Sequence, residues 1–309
     1  MIKEIKGKVV KGLGGLYDIR SEGGERIVCR AKGGLRRDED KLLVGDNVLV
    51  AIDDSVSDSV VISEILERKN SLIRPPISNL DYLFIVFAAK KPTPVIETVD
   101  KLIAIAIHNG IVPVVVITKS DLGSAIAEEY LEIYKRVGLD AFVTSSESGE
   151  GTEELSRFVK KEVSGGKTAA FAGASGVGKS TLMNSLFPSL ALETQAISRK
   201  IERGRHTTRH VEIFDITDTK DTGFLADTPG FSLIDFERFD FFKLDDLIPA
   251  FPDISRYVGK CRYSDCAHVG EGAGECAVAR AAAAGELPES RLASYRSIYN
   301  ILKKKSEFK

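Results

Sequence analysis

The chain has 309 residues, with 43 Lys and Arg against 45 Asp and Glu, 43% hydrophobic and 28% charged residues, and a formal net charge of −2. These proportions suit a globular protein of about two or three domains, and they exclude a disordered chain or one drawn to nucleic acid by net charge. No apolar run reaches ~18 residues, so no spanning helix is expected, and the opening MIKEIKGKVV lacks a signal-peptide core, so a cytoplasmic location is expected.

Residues 1–69 read as the first domain. Short strand-like runs recur at Gly7–Lys11, Gly15–Arg20, Arg26–Ala31, Asn47–Ile52 and Ser59–Leu66, punctuated by glycine turns. Five such strands at this length predict a small all-β barrel of the OB-fold type, an architecture that carries oligonucleotides in some proteins and protein partners in others. The loop 32–41 holds Arg36, Arg37 and Lys41, partly cancelled by its own acids, and reads first as a solvated loop. Cys29, in mid-strand, reads as a small buried apolar residue.

Residues 70–236 read as an α/β domain. Leu80–Ala89 and Ile111–Thr118 are buried parallel-strand runs, separated by a helix over Thr98–His108. The second strand empties into Thr118-Lys119-Ser120-Asp121. In this [N/T]-K-x-D pattern the lysine stem lies along a guanine face, and the carboxylate accepts from N1–H and the exocyclic amine. Adenine lacks that donor pair. Thr118 is shorter than the usual Asn and cannot reproduce both amide bonds, so guanine selectivity with weakened affinity is expected; a plain helix cap is the other reading of these four residues. A helix over Tyr130–Val137 and a strand over Asp140–Val143 then lead to Thr144-Ser145-Ser146, a short loop of the kind that touches guanine O6.

After a helix over Thr152–Val163, the strand Thr168–Ala172 enters Gly173-Ala174-Ser175-Gly176-Val177-Gly178-Lys179-Ser180, which fits G-x-x-x-x-G-K-[ST]. Its glycines let backbone N–H groups curl around a β-phosphate, Lys179 reaches the β/γ oxygens, and Ser180 ligates Mg²⁺ ahead of a helix over Thr181–Phe187. Glu202–Arg209 sits where a switch loop supplies a threonine to Mg²⁺ and the γ-phosphate, the choice lying between Thr207 and Thr208. Val211–Thr217 and Gly223–Ala226 form a hairpin delivering Asp227-Thr228-Pro229-Gly230, in which Asp227 holds the Mg²⁺ shell and the Gly230 N–H senses the γ-phosphate. The next residue, Phe231, cannot orient water, which leaves His206 as the in-chain catalytic candidate beside the plainer role of packing or meeting phosphate. The order of pieces is guanine motif, serine loop, phosphate loop, switch threonine and D-x-P-G: a circular permutation of the usual GTPase order.

Residues 237–309 read as a mainly α domain built on Cys261, Cys266, His268 and Cys276, spaced C-x₄-C-x-H-x₇-C. Three thiolates and one imidazole make a closed structural Zn²⁺ set, with free thiols as the alternative. A short helix over Cys276–Ala284 and a longer one over Pro288–Lys305 close the chain.

Barrel, TKSD, GASGVGKS, GRHTTR, DTPG and the Cys-Cys-His-Cys set together resemble the circularly permuted ribosome-assembly GTPases of the RsgA (YjeQ/YloQ) family over essentially the whole length. The resemblance implies an OB-fold, a central GTPase and a C-terminal zinc domain. It further implies GTP and GDP as ligands with Mg²⁺, Zn²⁺ as a structural ion, and binding of the small ribosomal subunit and its rRNA late in maturation. Hydrolysis would be stimulated by that subunit, coupled to release, and carried out by a monomer with no membrane partner. Two other classes fit parts of the pattern: a P-loop kinase of small molecules, and a non-hydrolysing RNA-binding module. GTP-versus-ATP binding separates the first, and turnover with small subunits the second.

Overall fold

Period-two alternation builds five strands at the start of the chain: β1 (Ile2–Leu13), β2 (Leu16–Ser21), β3 (Arg26–Ala31), β4 (Asn47–Asp53) and β5 (Ser59–Ile65). They close in the order 1-2-3-5-4-1, antiparallel throughout except where β3 meets β5 in parallel at Arg30↔Val61. That closure is the expected OB-type barrel. Val9, Ile19, Cys29, Val48, Val50 and Ile62 fill its interior, so Cys29 is the buried apolar residue anticipated. β1 is longer than the expected Gly7–Lys11. Ile2–Lys8 pairs with β4 and Gly7–Leu13 with β2, with an irregular register between Val9 and Lys11 that turns the strand from one neighbour to the other.

The computed structural model describes residues 2–36, 41–53, 59–188, 211–216, 222–227 and 242–307. Beyond the barrel the strands are β6 (Ser71–Leu72), β7 (Ile77–Ser78), β8 (Tyr82–Ala88), β9 (Val112–Thr118), β10 (Asp140–Val143), β11 (Thr168–Ala172), β12 (Glu212–Asp215) and β13 (Phe224–Asp227). The α-helices are α1 (Ile96–His108), α2 (Ser124–Arg136), α3 (Thr152–Glu162), α4 (Lys179–Leu186), α5 (Pro252–Ser255), α6 (Ala277–Ala283) and α7 (Glu289–Glu307). Chain contacts group these into two units.

The first unit takes Met1–Tyr82, Glu154–Phe171 and Leu182–Phe231. In it β11 runs parallel to β13, β12 pairs antiparallel with β13 as the expected hairpin, and β12 borders β1 through Lys11↔Glu212. The ion pairs Lys11–Glu212 (2.9 Å) and Arg20–Asp215 (3.3 Å) line the same seam.

The second unit takes Leu83–Glu153, Ala172–Thr181 and Ser232–Lys309. Its strands lie in the order β10-β9-β8, with β10 parallel to β9. Leu83–Ala88 and Val114–Ile117 are buried without a break, as strands covered on both faces are. α7 packs against α1, joined by the Ser297–Glu97 hydrogen bond (2.8 Å) and by the fully buried Arg291. Arg291 donates to Asp100 Oδ1 at 2.6 Å and to both oxygens of Asp253 at 2.9 and 3.0 Å, and its guanidinium lies 4.6 Å from the Phe251 ring centre.

Candidate functional site

α4 begins at Lys179, two residues earlier than expected, so Lys179 and Ser180 occupy the first helical turn. The loop Gly173–Gly178 therefore runs into a helix N-terminus, whose unpaired N–H groups favour anions. Gly173 adopts φ +145°, and a Cβ there would stand 2.0 Å from the Val86 carbonyl oxygen, so only glycine fits where the loop leaves the sheet. Lys179 Nζ donates to the carbonyls of Gly173 (2.6 Å) and Ala174 (2.8 Å), folding over its own loop. Ala174, Ser175, Gly176, Ser180 and Thr181 are exposed, whereas Val177 anchors the loop in the core.

The TKSD segment meets this loop directly. The buried Thr118 hydroxyl donates to Val177 O at 2.5 Å and lies 3.2 Å from Phe87 O. Lys119, held at φ +58°, donates to Gly176 O (2.7 Å) and to Lys91 O (2.8 Å). Segments 118–119 and 176–177 are thus tied by two hydrogen bonds across 57 and 59 residues of sequence. Ser120 is buried and donates to Glu150 Oε2 at 2.7 Å. Asp121 Oδ1 accepts from Ser145 Oγ at 2.5 Å, and the same oxygen of Ser145 receives the N–H groups of Glu147 and Ser148 at 3.2 Å. Thr144 N–H donates to Ile117 O and Thr144 O accepts from Ser120 N–H, so the 144–146 loop is stitched to the end of β9; Thr144 and Ser145 are buried and Ser146 is exposed. Lys91 and Glu150 were not expected in this neighbourhood. They enter through a backbone carbonyl and an exposed carboxylate, neither of which leaves a mark in a motif.

Asp227 ends β13, and its backbone lies opposite Glu212. His206, Thr207, Thr208, Gly230 and Phe231 lie outside the described residues.

Cys261, Cys266, His268 and Cys276 come together with all four ligand atoms within 4.8 Å of one another. His268 Nδ1 stands 3.5, 3.4 and 3.5 Å from the sulfurs of Cys261, Cys266 and Cys276. A tetrahedral ion with Zn–S ~2.3 Å and Zn–N ~2.0 Å requires S···N edges of about 3.5 Å. The N–H of Ala277 points at Cys261 Sγ (3.3 Å) and that of Ala279 at Cys276 Sγ (3.4 Å), the environment thiolates need. Burial holds the His268 imidazole below its ordinary pKa, favouring the neutral, ligating form. The donor set fits a tetrahedral metal with no position left for a further ligand.

Comparisons with known proteins agree with this geometry. The family model described as RsgA GTPase matches residues 65–237, and the RsgA N-terminal domain model matches residues 6–60. The small ribosomal subunit biogenesis GTPase RsgA of Agathobacter rectalis is 36% identical over 313 residues, covering 98% of this chain and 99% of its own. Small ribosomal subunit biogenesis GTPase RsgA 2 of Listeria monocytogenes is 38% identical, covering 97% and 98%. Among solved structures, YloQ, described as a circularly permuted GTPase, matches with TM-score 0.76 and 31% identity over 98% of this chain and 96% of its own. YjeQ from Thermotoga maritima matches with TM-score 0.77 and 31% identity, covering 97% and 99%.

Proposed function

The chain belongs to the RsgA GTPase family, and on that premise we propose that it hydrolyses GTP on the small ribosomal subunit late in that subunit's maturation. The observation that carries the nucleotide half of this reading is the pair of bonds from Thr118 and Lys119 to the carbonyls of Val177 and Gly176. They tie the segment that ends in Asp121 to the Gly173–Ser180 loop despite their inverted order, which supports reading the two as parts of one nucleotide site.

In this reading Asp121 accepts from the guanine N1–H and amine, with Ser145 holding the carboxylate in place. The 144–146 loop faces O6, Lys119 lies along the base, and Gly173–Thr181 cradles the phosphates. Lys179 exchanges its two loop carbonyls for β/γ oxygens when nucleotide binds, a trade of neutral for charged acceptors that favours the bound state. Ser180, Asp227 and Thr207 or Thr208 would hold the Mg²⁺ that accompanies GTP, which would supply charge neutralisation at the transferring phosphoryl group. His206 takes the place of a water-orienting group, because Phe231 offers none, and contact with the subunit completes the site. Cys261, Cys266, His268 and Cys276 hold a structural Zn²⁺. Boundaries near residues 69 and 236 divide the chain into barrel, GTPase and zinc-binding parts, and the barrel is an rRNA-facing module. The protein acts as a cytoplasmic monomer.

Two experiments test this. Calorimetry should give GTP and GDP binding with no measurable binding of ATP, and Asp121→Ala should abolish that preference; equal affinity for ATP would refute the guanine assignment. Turnover measured with and without purified small subunits should rise with subunits in the parent and stay at the basal rate in His206→Ala, while GTP binding is unchanged. Full stimulation of His206→Ala would remove that residue from the mechanism.

A further inference from the structure

A cavity of about 420 Å³ opens in the first unit, with none of residues 118–121 or 173–181 on its lining, and its size is that of a small-molecule site. Lys6 and Lys8 of β1, Arg20 and Ser21 of β2, and Thr222 and Phe224 beside the 165–166 turn form its main walls. Among the described residues Glu22 is the one carboxylate on the lining, against three cations.

Lys8 is the unusual member. Its side chain is only 8% exposed, and among the described residues it forms no ion pair. Its ammonium donates to Thr168 Oγ1 at 2.8 Å and stands 5.3 Å from the Phe224 ring centre. Asp81, the carboxylate whose charge acts on it, is already committed: Oδ2 accepts the Thr168 N–H at 2.8 Å and Oδ1 pairs with Lys69. Buried charges are ordinarily paired, because an isolated one forfeits its hydration. Here desolvation outweighs the attraction of Asp81 and brings the lysine down to about 8. Arg20 is satisfied by Asp215 at 3.3 Å, and Ser21 Oγ accepts the Glu25 N–H, its hydroxyl hydrogen meeting no acceptor among the described residues.

We propose that this cavity binds a small organic phosphate, of sugar-phosphate size, with its phosphate group against Lys8 and Ser21 and its body against Phe224 and Leu66. An anion is the species that a buried, unpaired ammonium selects, and the polar-apolar division of the walls suits a phosphate carried on a compact organic body. This goes beyond the nucleotide site, which is built from other residues.

The test uses the full chain saturated with GDP and Mg²⁺, so that the phosphate loop is already engaged; the GDP titration reports on the nucleotide site separately. Ribose 5-phosphate, inorganic phosphate, ribose and a short single-stranded RNA are then titrated, with amide NMR shifts as the readout. Ribose 5-phosphate should move Lys8, Ser21, Gly166 and Thr222, bind more tightly than inorganic phosphate, and leave no counterpart for ribose. Lys8→Met keeps the apolar stem, and Asn47→Asp places a negative charge on the lining; each should weaken binding at least about tenfold. The proposal is overturned by no shifts up to ~10 mM ribose 5-phosphate, by shifts confined to 173–181, or by binding that both variants leave unchanged. Tighter binding of RNA at the same amides would also overturn it, making the cavity a nucleic-acid contact.

Discussion

Thr118 closes a hydrogen bond between β9 and the phosphate loop that a valine of the same shape would leave unmade. Thr118→Val should weaken GTP binding by about tenfold, since it strands a buried carbonyl worth ~1–3 kcal/mol, and calorimetry checks it. The sequence expectation was that threonine could not reproduce both bonds of an amide. The hydroxyl does reach the loop at 2.5 Å, so one of the two roles is kept, and Lys119 ties the same loop beside it. Hydroxyl direction is a tertiary outcome, which is why TKSD could be read as a motif but not as a latch. Lys8 offers a second check at this scale. Its folded-state pKa lies below the unfolded value of 10.5, so between about pH 8 and 10.5 the unfolded chain binds the additional proton and stability rises with pH. Lys8→Met should remove that rise, seen in urea melts across this range.

Elements were legible in proportion to how strongly they are patterned. β3, β10 and β11 fall where alternation or a continuous apolar run placed them, end to end. α2 begins at Ser124 rather than Tyr130, because its first six residues bury only Ala127 and offer no apolar stripe to read. The two-residue strands β6 and β7 and the one-turn α5 are too short to carry any period. The Cys-Cys-His-Cys set was visible because its ligands are close in sequence, and stripping the metal with a chelator should melt this segment first. Loss of one zinc per chain, together with a lower melting temperature, is the expected result; a metal-free protein with unchanged melting would show that the thiols stand alone. The triad of Asp100, Asp253 and Arg291 was invisible, since three charges scattered over α1, α5 and α7 form no motif. Arg291→Ala should destabilise the protein by about 3–5 kcal/mol, because two carboxylates are left buried without their cation. Burial already holds Asp100 above its ordinary value against the pull of Arg291, and losing the guanidinium raises it further, so the folded variant binds more protons and its deficit should shrink as pH falls from 8 to 5.

At the scale of the molecule, motif order and zinc spacing made the family legible, while the grouping of the chain into units did not follow the linear boundaries. The nucleotide-site candidates from Thr118 to Thr181 belong to the second unit, whereas the barrel belongs to the first. Deleting residues 1–69 should therefore preserve the preference for guanine, since Asp121 and the Ser145 hydroxyl that holds it lie in the second unit. It should also lower stability, because β12 loses β1 from its edge and exposes a strand prone to pair with other chains. A melting curve and titrations with GTP and ATP on the truncated protein separate the two effects.

The spacing of the buried triad bears on how the protein is made. Arg291 leaves the exit tunnel 191 residues after Asp100, and the second unit draws on three separate stretches of chain. During synthesis the aspartate has no cation to receive it, so α1 cannot be sealed into its final surroundings while translation continues. A prematurely terminated product therefore carries the 118–121 and 173–180 segments without the ion pairs that hold α7 on α1, and should melt below the full chain.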